Sequence, residues 1–327
     1  MQRKPAQLRI SAARRALTLV ELLIVGAVIV LLAALTLVAV NMAAGTAKIT
    51  KTRSTIQKLD AAMQQIFETH EEKFAVIRKQ VAAEDKTKDL DQETRQKIVA
   101  HFVRDLMRME MPQNWAEVEA GPLTLTLGGK TYSTADSPLR EYYLQHGTAS
   151  PAELLFLIIQ NLNPEALEAF HGSEVADTDG NGLLEFVDAW GKPIRFLRWA
   201  PAFSDSDFQQ NVLSLCDPPY VPLSNVQSNR DWWRARDDRL QKAVERASEN
   251  HPDLLDERVN VGPGIVGWFL YPLIYSAGPD GNYGLDEGDN VPPELGAEGI
   301  LDPFRLPYGM PTGSRHFDNI HNHQWYR

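Results

Sequence analysis

Nineteen consecutive residues, Leu22 to Val40, carry no charge, and Arg14 and Arg15 stand just ahead of them. An apolar run of about 18 residues or more is long enough to cross a bilayer as a helix. Whatever the rest of the chain folds into, this run must be given to lipid or to other apolar helices. Glu21 lies at its edge. On insertion scales an ionisable side chain at the centre of a membrane helix costs roughly 2.5–3.5 kcal/mol, so Glu21 is expected to meet a cationic partner. Basic residues before the helix fix that end in the cytoplasm and put the remainder outside. Two competing readings are a plain membrane anchor and a secretory signal. The second has an apolar core of roughly 7–15 residues followed by a small-residue cut; Ala33, Ala34, Ala43 and Ala44 are the available cut residues, but the run is too long.

The chain has 327 residues, room for the anchor plus one large or two small domains. A hydrophobic content of 43% is enough for a real core. Residues 1–16 hold five basic residues (Arg3, Lys4, Arg9, Arg14, Arg15) and no acid. Without them 28 basic residues face 43 acidic ones, a net charge of −15. The acidity argues against nucleic-acid binding, which needs a basic footprint; cation binding suits the balance. Cys216 is the only cysteine, so no intrachain disulfide can form. For an exported chain, a metal is the obvious alternative staple.

No proline occurs between Pro5 and Pro112, so nothing forces the membrane helix to stop. Beyond it Ile49, Ile56, Met63, His70 and Ile77 recur every seven residues, with Thr52, Leu59 and Ile66 interleaved. This apolar stripe with polar flanks predicts a helix lying on something else. A self-associating coiled coil is the alternative, for which Thr52 and His70 make a poor seam. Asn41 to Gly45 is the expected flexible point, because glycine weakens a helix by about 1 kcal/mol relative to alanine.

Residues 82–97 are charged and loop-like at their start, and a helix is expected over 93–109 with Ile98, Phe102 and Leu106 on one face. Residues 122–134 alternate around Gly128-Gly129, a hairpin signal. A helical stretch follows over 138–170, including PAELLFLIIQNL as a buried helix and NPEALEAF capped by Asn163. GKPIRFLRW (191–199) and GWFLYPLIYS (267–276) read as strands, with a helix near 231–248 between them. Trp232 and Trp233 in that helix read as packing residues.

Two loops are rich in acids. Calcium takes six to eight oxygen ligands, and a twelve-residue calcium loop supplies them from positions 1, 3, 5, 7, 9 and 12 with glycine at 6. In residues 177–188 those positions hold Asp177, Asp179, Asn181, Leu183 (through its carbonyl), Glu185 and Asp188, with Gly182 sixth and Leu184 expected to point inward. Asp188 replaces the usual closing glutamate, as in dockerin loops. A strand is expected to follow, making this a lone calcium loop; an acidic surface turn is the alternative. The second loop, 276–290, carries Asp280, Asp286 and Asp289. Clustered carboxylates repel and shift one another's pKa, and a bound cation would relieve this.

Residues 14–21 resemble the prepilin signal of type IV pilins and type II secretion pseudopilins. That signal has a short basic leader, a small residue before the cut, a hydrophobic first mature residue and a glutamate at the fifth. Arg14, Arg15, Ala16, Leu17 and Glu21 occupy these places, with Ala16 where glycine is usual. The resemblance implies cleavage after Ala16 by prepilin peptidase, N-methylation of Leu17, and a filament in which Glu21 pairs with the Leu17 amine of a neighbouring subunit. Ser276-Ala-Gly278-Pro-Asp280-Gly281 and the loop after it resemble the calcium loop of the major pseudopilin. Asp188-Ala-Trp-Gly-Lys-Pro193 resembles that family's Asp-x-Trp-Gly-x-Pro segment. By this likeness Asp280, Asp286 and Asp289 are candidate calcium ligands, with Asp318 at the family's terminal Asp-Ile. Residues 82–185 and 200–265 exceed a typical major pseudopilin; their bulk is similar to that of the larger minor subunit, which commonly lacks the glutamate present here as Glu21.

The expected architecture is α+β, a long N-terminal transmembrane helix packed on a small antiparallel sheet, with helical insertions and calcium loops. Its parts are a leader (1–16), a transmembrane and filament-core helix (17–45), the amphipathic second half of that helix (46–81) and a periplasmic globular domain (82–327). The expected role is a structural subunit of a type II secretion filament, single-pass in the inner membrane, with prepilin peptidase, other pseudopilins and the inner-membrane assembly platform as partners and calcium as cofactor. A type IV pilus or competence pilin shares the same signal. No Gly-x-Ser-x-Gly, P-loop or His-Glu-x-x-His pattern is present, and no catalysis is expected. An anchored exported enzyme, or a transition-metal site at His321-x-His323, is the remaining alternative.

Overall fold

The computed structural model describes residues 19–200, 203, 272–287, 309, 311–312 and 318–323. The chain divides into two compact units, Met1–Lys48 and Ile49–Arg327. Helix α1 (Leu19–Ala83) begins in the first and continues in the second. In the first unit its apolar side chains, among them Leu22, Ile29, Leu35 and Val40, are exposed all around the helix. A helix that is hydrophobic all round is stable only when something else surrounds it, and its composition and length fit a membrane span. The flexible point expected at Asn41–Gly45 is regular helix. Met42, Ala43, Ala44 and Ala47 are strong helix formers around Gly45, and they outweigh its propensity cost.

In the second unit the sevenfold stripe is buried as the spacing predicts. Thr52, Ile56, Leu59, Met63, Ile66, His70 and Ile77 are all buried, and Ile49 packs against the same core. The coiled-coil alternative is not needed for this stretch, because the stripe is covered by the unit's own residues. Its two polar members have partners inside the fold. The Thr52 hydroxyl accepts the Ala189 N–H (3.1 Å). His70 Nδ1 donates to the Ile66 carbonyl (2.8 Å), and Nε2 lies 2.6 Å from the Glu110 carboxylate.

Helix α2 (Gln92–Glu110) is capped by Asp91 and leads into the short helix α3 (Trp115–Glu119). Strands β1 (Thr124–Leu127) and β2 (Lys130–Ser133) form the expected hairpin, with Gly128 and Gly129 both at positive φ in its two-residue turn. Helices α4 (Pro138–Gln145) and α5 (Pro151–Leu162) follow. Helix α5 opens with a capping box between Ser150 and Glu153, and eight of its residues, Ala152 to Ile159, are buried. The next turn, Pro164–Ala169, is 3-10 helix, and Asn163 does not cap it. The Asn163 amide instead donates to the Ala62 carbonyl and the Gln65 side chain of α1.

Strands β3 (Val175–Ala176) and β4 (Glu185–Phe186) pair antiparallel around the first acidic loop. A three-stranded antiparallel sheet joins β5 (Arg195–Leu197), β6 (Leu273–Ser276) and β7 (Ile320–His321), with β6 central. One apolar core unites the stripe of α1, the inner faces of α2 and α5, and Phe186, Phe196, Ile274 and Ile320 from the strands. The mixed helix-and-strand class thus holds, with three small antiparallel sheets rather than one among the described residues. The helix expected at 231–248, Trp232, Trp233 and Cys216 lie outside the described residues.

Charge is also buried. Arg198 and Glu117, 2% and 3% exposed as side chains, form a two-pronged pair with both bonds at 2.8 Å. Arg198 also donates to the Met111 carbonyl, and Glu117 accepts the Gln113 N–H. Arg108 pairs with Asp105, both fully buried, and donates to the Glu117 and Gly121 carbonyls. Removing one partner of such a pair costs about 3–5 kcal/mol, because it strands a buried charge. Glu117→Ala is therefore expected to lower the free energy of unfolding by that amount in urea titration. Combining it with Arg198→Met should recover most of the loss; a single variant as stable as the parent would show that the pair holds nothing.

Candidate functional site

The hairpin loop between β3 and β4 gathers three carboxylates. Ligand oxygens of Glu153, Asp179 and Glu185 all lie within 4.8 Å of one another, the one such set of acidic, histidine or cysteine side chains among the described residues. Glu153 and Glu185 are buried, and Asp179 is exposed. Glu185 accepts the Thr178 N–H (2.9 Å) and hydroxyl (3.1 Å). Glu153 comes from the first turn of α5, where it also accepts the Ser150 N–H. Burial pushes Glu185 above the usual glutamate value of 4.5; the Thr178 bonds pull it down, and the charges of Glu153 and Asp179 push it up again. The net direction is upward, so Glu185 resists ionisation.

The expected ligands divide into those brought here and those used elsewhere. Asp179 and Glu185 are brought together, with Glu153 beside them. Asp177 turns into the loop and accepts the N–H groups of Gly180, Asn181 and Gly182, organising the turn. Asn181 presents its amide nitrogen, which donates to Glu153 (2.6 Å) and Asp179 (3.1 Å), while its oxygen accepts the Leu183 N–H. Leu183 packs against the core, whereas Leu184, expected to point inward, is 42% exposed. Pairing of Glu185 with Ala176 sets that register.

Asp188 stands apart from the cluster. One of its oxygens accepts the Trp190 and Lys192 N–H groups (2.8 and 2.9 Å), and the other accepts the Ser276 hydroxyl (2.6 Å). Sequence reasoning missed Glu153. Its signal, Ser150-x-x-Glu153, marks a helix cap, and only the tertiary fold turns it toward the loop.

Calcium binds oxygen ligands at 2.3–2.6 Å, so ligands across the ion lie about 5 Å apart. Three carboxylates within 4.8 Å of one another could hold a metal ion. Full coordination of an ion there needs further oxygens, from backbone carbonyls or water.

The second loop brings together the two motifs that carry the family likeness, since Ser276 bonds Asp188. Asp280 accepts the Asn282 N–H (2.7 Å), and its own N–H donates to Asp318 (3.1 Å). Gly278 has φ +67°, and a Cβ there would lie 2.2 Å from the Asp318 carbonyl oxygen, so only glycine fits. Asp286 is buried, and its carbonyl accepts the Gly309 N–H. Asp280, Asp286 and Asp318 make no three-carboxylate set among the described residues; Asp289 lies outside those residues, as do Ala16 and Leu17. Glu21 lies in the first turn of α1. His321 and His323 are buried and pack edge-on against Phe203, and His323 also bonds the Pro272 carbonyl.

A carboxyl whose folded pKa is raised adds stability below its unfolded pKa and loses it as pH climbs through the folded value. Without divalent cations, Glu185→Gln should therefore gain thermal stability over the parent as pH rises above about 4.5, the ordinary value. A divalent cation held by the three carboxylates would reverse the order, since a ligand at a hundred times its Kd adds about 2.7 kcal/mol to the parent. Differential scanning calorimetry of both proteins, with calcium and with chelator, measures this; a difference independent of both pH and calcium would refute the electrostatic account.

Comparison with protein-family models, curated proteins and solved structures finds no match to this chain.

Proposed function

We propose that the chain is a pseudopilin, a subunit of a type II secretion filament that is cut after Ala16 by prepilin peptidase, held in the inner membrane by α1 and polymerised on an inner-membrane platform into the periplasm. The observation that carries this reading is the division of labour along α1. Its first part is apolar and exposed around the whole helix, and its second part is buried along one stripe of a folded unit. A solitary anchor needs no such continuation into a domain, whereas a subunit that stacks through its helix does. Glu21, in the first turn of α1, is well placed for the helix dipole. Across a subunit contact it would pair with the Leu17 amine of the next copy. In this reading the protein acts by assembling, and catalysis belongs to its peptidase.

Calcium is the proposed cofactor, held at the loop after β3 by Glu153, Asp179 and Glu185. Three hard oxygen donors at that spacing suit calcium better than magnesium, which demands tight octahedral geometry and keeps its waters. Asp280, Asp286, Asp289 and Asp318 remain a second candidate group, supported by their likeness to the major pseudopilin loop.

Mass analysis of membrane-extracted protein should give a mature chain starting at Leu17 with a methylated amine. Glu21→Ala should insert and be cut normally, since removing a charge eases membrane entry, yet fail to form filaments. A start at Met1 or beyond Ala34, or normal filaments from the variant, would overturn the proposal. Deletion of the gene should abolish protein secretion; loss of piliation or DNA uptake with secretion intact would assign the subunit to a pilus instead.

A further inference from the structure

From Leu22 to Leu59 the chain has no acidic residue, although it carries 43 acids in all. Glu21 closes this window on one side and Asp60 on the other. Four cations stand within it, Lys48, Lys51, Arg53 and Lys58, all beyond the apolar run. Lys58 is taken up by the fold, since it pairs with Glu174 at 2.8 Å. The other three are exposed. Lys51 donates to the Ser173 hydroxyl (3.0 Å), a neutral group that leaves its charge in place.

Distance along the helix decides what these cations can reach. α1 is one helix over this stretch, and a helix rises about 1.5 Å per residue. A hydrocarbon core of about 30 Å takes about 20 residues, so a span that starts at Leu22 leaves the core near Asn41. About 5–8 Å of headgroup region follows on that side. Along the axis, Lys48 lies about 10 Å past Asn41, Lys51 about 15 Å and Arg53 about 18 Å. Side chains on a helix lean toward its N-terminus, here toward the bilayer. Long basic stems carry their charged heads to the interface, and charges within about 8 Å of it are still felt at physiological salt.

The cations also surround the helix instead of lining one face. At about 100° per residue, Lys51 and Arg53 stand on opposite sides of the buried Thr52. A protein partner would read one face, whereas a headgroup layer encircles the helix. Without residues 1–16 the chain carries a net charge of −15, so an anionic surface repels most of it. The acid-free window is where attraction can act.

We propose that Lys48, Lys51 and Arg53 form a collar for anionic lipid headgroups in the leaflet where the span of α1 ends, setting the depth at which the helix sits. The collar rests on the reading of α1 as a membrane span. Each such cation strengthens attachment to an anionic surface by roughly fivefold.

Acylation by a water-soluble amine reagent, followed lysine by lysine in the full-length chain by mass spectrometry, tests it. The chain is placed one copy per nanodisc, in phosphatidylcholine alone or with phosphatidylglycerol added; a single copy removes neighbouring chains as a source of acid. Phosphatidylglycerol should slow Lys48 and Lys51 by about fivefold or more and leave the exposed Lys79 and Lys130 unchanged. High salt should erase the difference, because exposed charges are screened. Lys51→Gln combined with Arg53→Gln should weaken the slowing at Lys48. Equal rates at Lys48 and Lys51 in both lipids would overturn the collar and leave the span standing. Slowing of Lys79 and Lys130 to the same extent, or equal slowing by inorganic phosphate in phosphatidylcholine discs, would also overturn it, the second by showing a site for free anions. A chain that does not enter the discs would overturn span and collar together.

Discussion

Two buried carboxylates outside α1 fix where that helix lies along the folded unit. Glu174 meets Thr55 and Lys58, and Glu110 meets His70 and Lys73, the last at 2.6 Å. The apolar stripe supplies the driving force, but burial is non-directional, and a stripe alone could slide by a turn. Carboxylates that face specific donors cannot. Burial pushes both glutamates up, and their hydrogen bonds and nearby cations more than compensate, so each sits below its ordinary pKa. Such groups give stability above the unfolded carboxyl range and lose it as pH falls through the folded value. Acid therefore loosens the two anchors of α1 while relieving the crowded carboxylates of the 177–184 turn.

Much of this fold is legible in the sequence where a period or a turn dipeptide speaks for itself. The sevenfold stripe from Ile49 to Ile77, the Gly128-Gly129 hairpin and the buried helix at 151–162 each express a local rule that tertiary packing reinforces. The misses arise where neighbouring residues or packing override such rules. Gly45 has the propensity of a break, but its neighbours continue the helix. Asn163 has the chemistry of a cap, but a helix of distant sequence takes its amide. Residues 191–199 alternate like a long strand, yet only Arg195–Leu197 find a partner strand in β6, because Asp188 folds the residues before them into a turn.

The acidic loop follows the same division. Spacing alone pointed to Asp179 and Glu185, which the fold brings within 4.8 Å of each other, because positions in a tight loop are a local property. Asp188 occupied the closing position by count, but Trp190, Lys192 and Ser276 use both of its oxygens. Ser276 belongs to a strand remote in sequence, and Glu153 to a helix that precedes the loop. Neither relation has any trace in a twelve-residue window. The turn at 188–193 and the loop that begins at Ser276 meet at the Ser276–Asp188 bond, which ties the supports of the two acidic loops together.

The central sheet pairs β5 with β6 across the whole of residues 198–272. Closing a flexible loop costs little more as it lengthens, only about 0.6 kcal/mol for each doubling. The register of the pairing, Arg195 opposite Tyr275 and Leu197 opposite Leu273, is a far stricter matter, since a slip of one residue would turn Phe196 and Ile274 out of the core. This junction therefore tolerates nearly any length of chain inserted between its strands and almost no change within them. It is a place where the chain between the strands can change without disturbing how the second half of α1 is held.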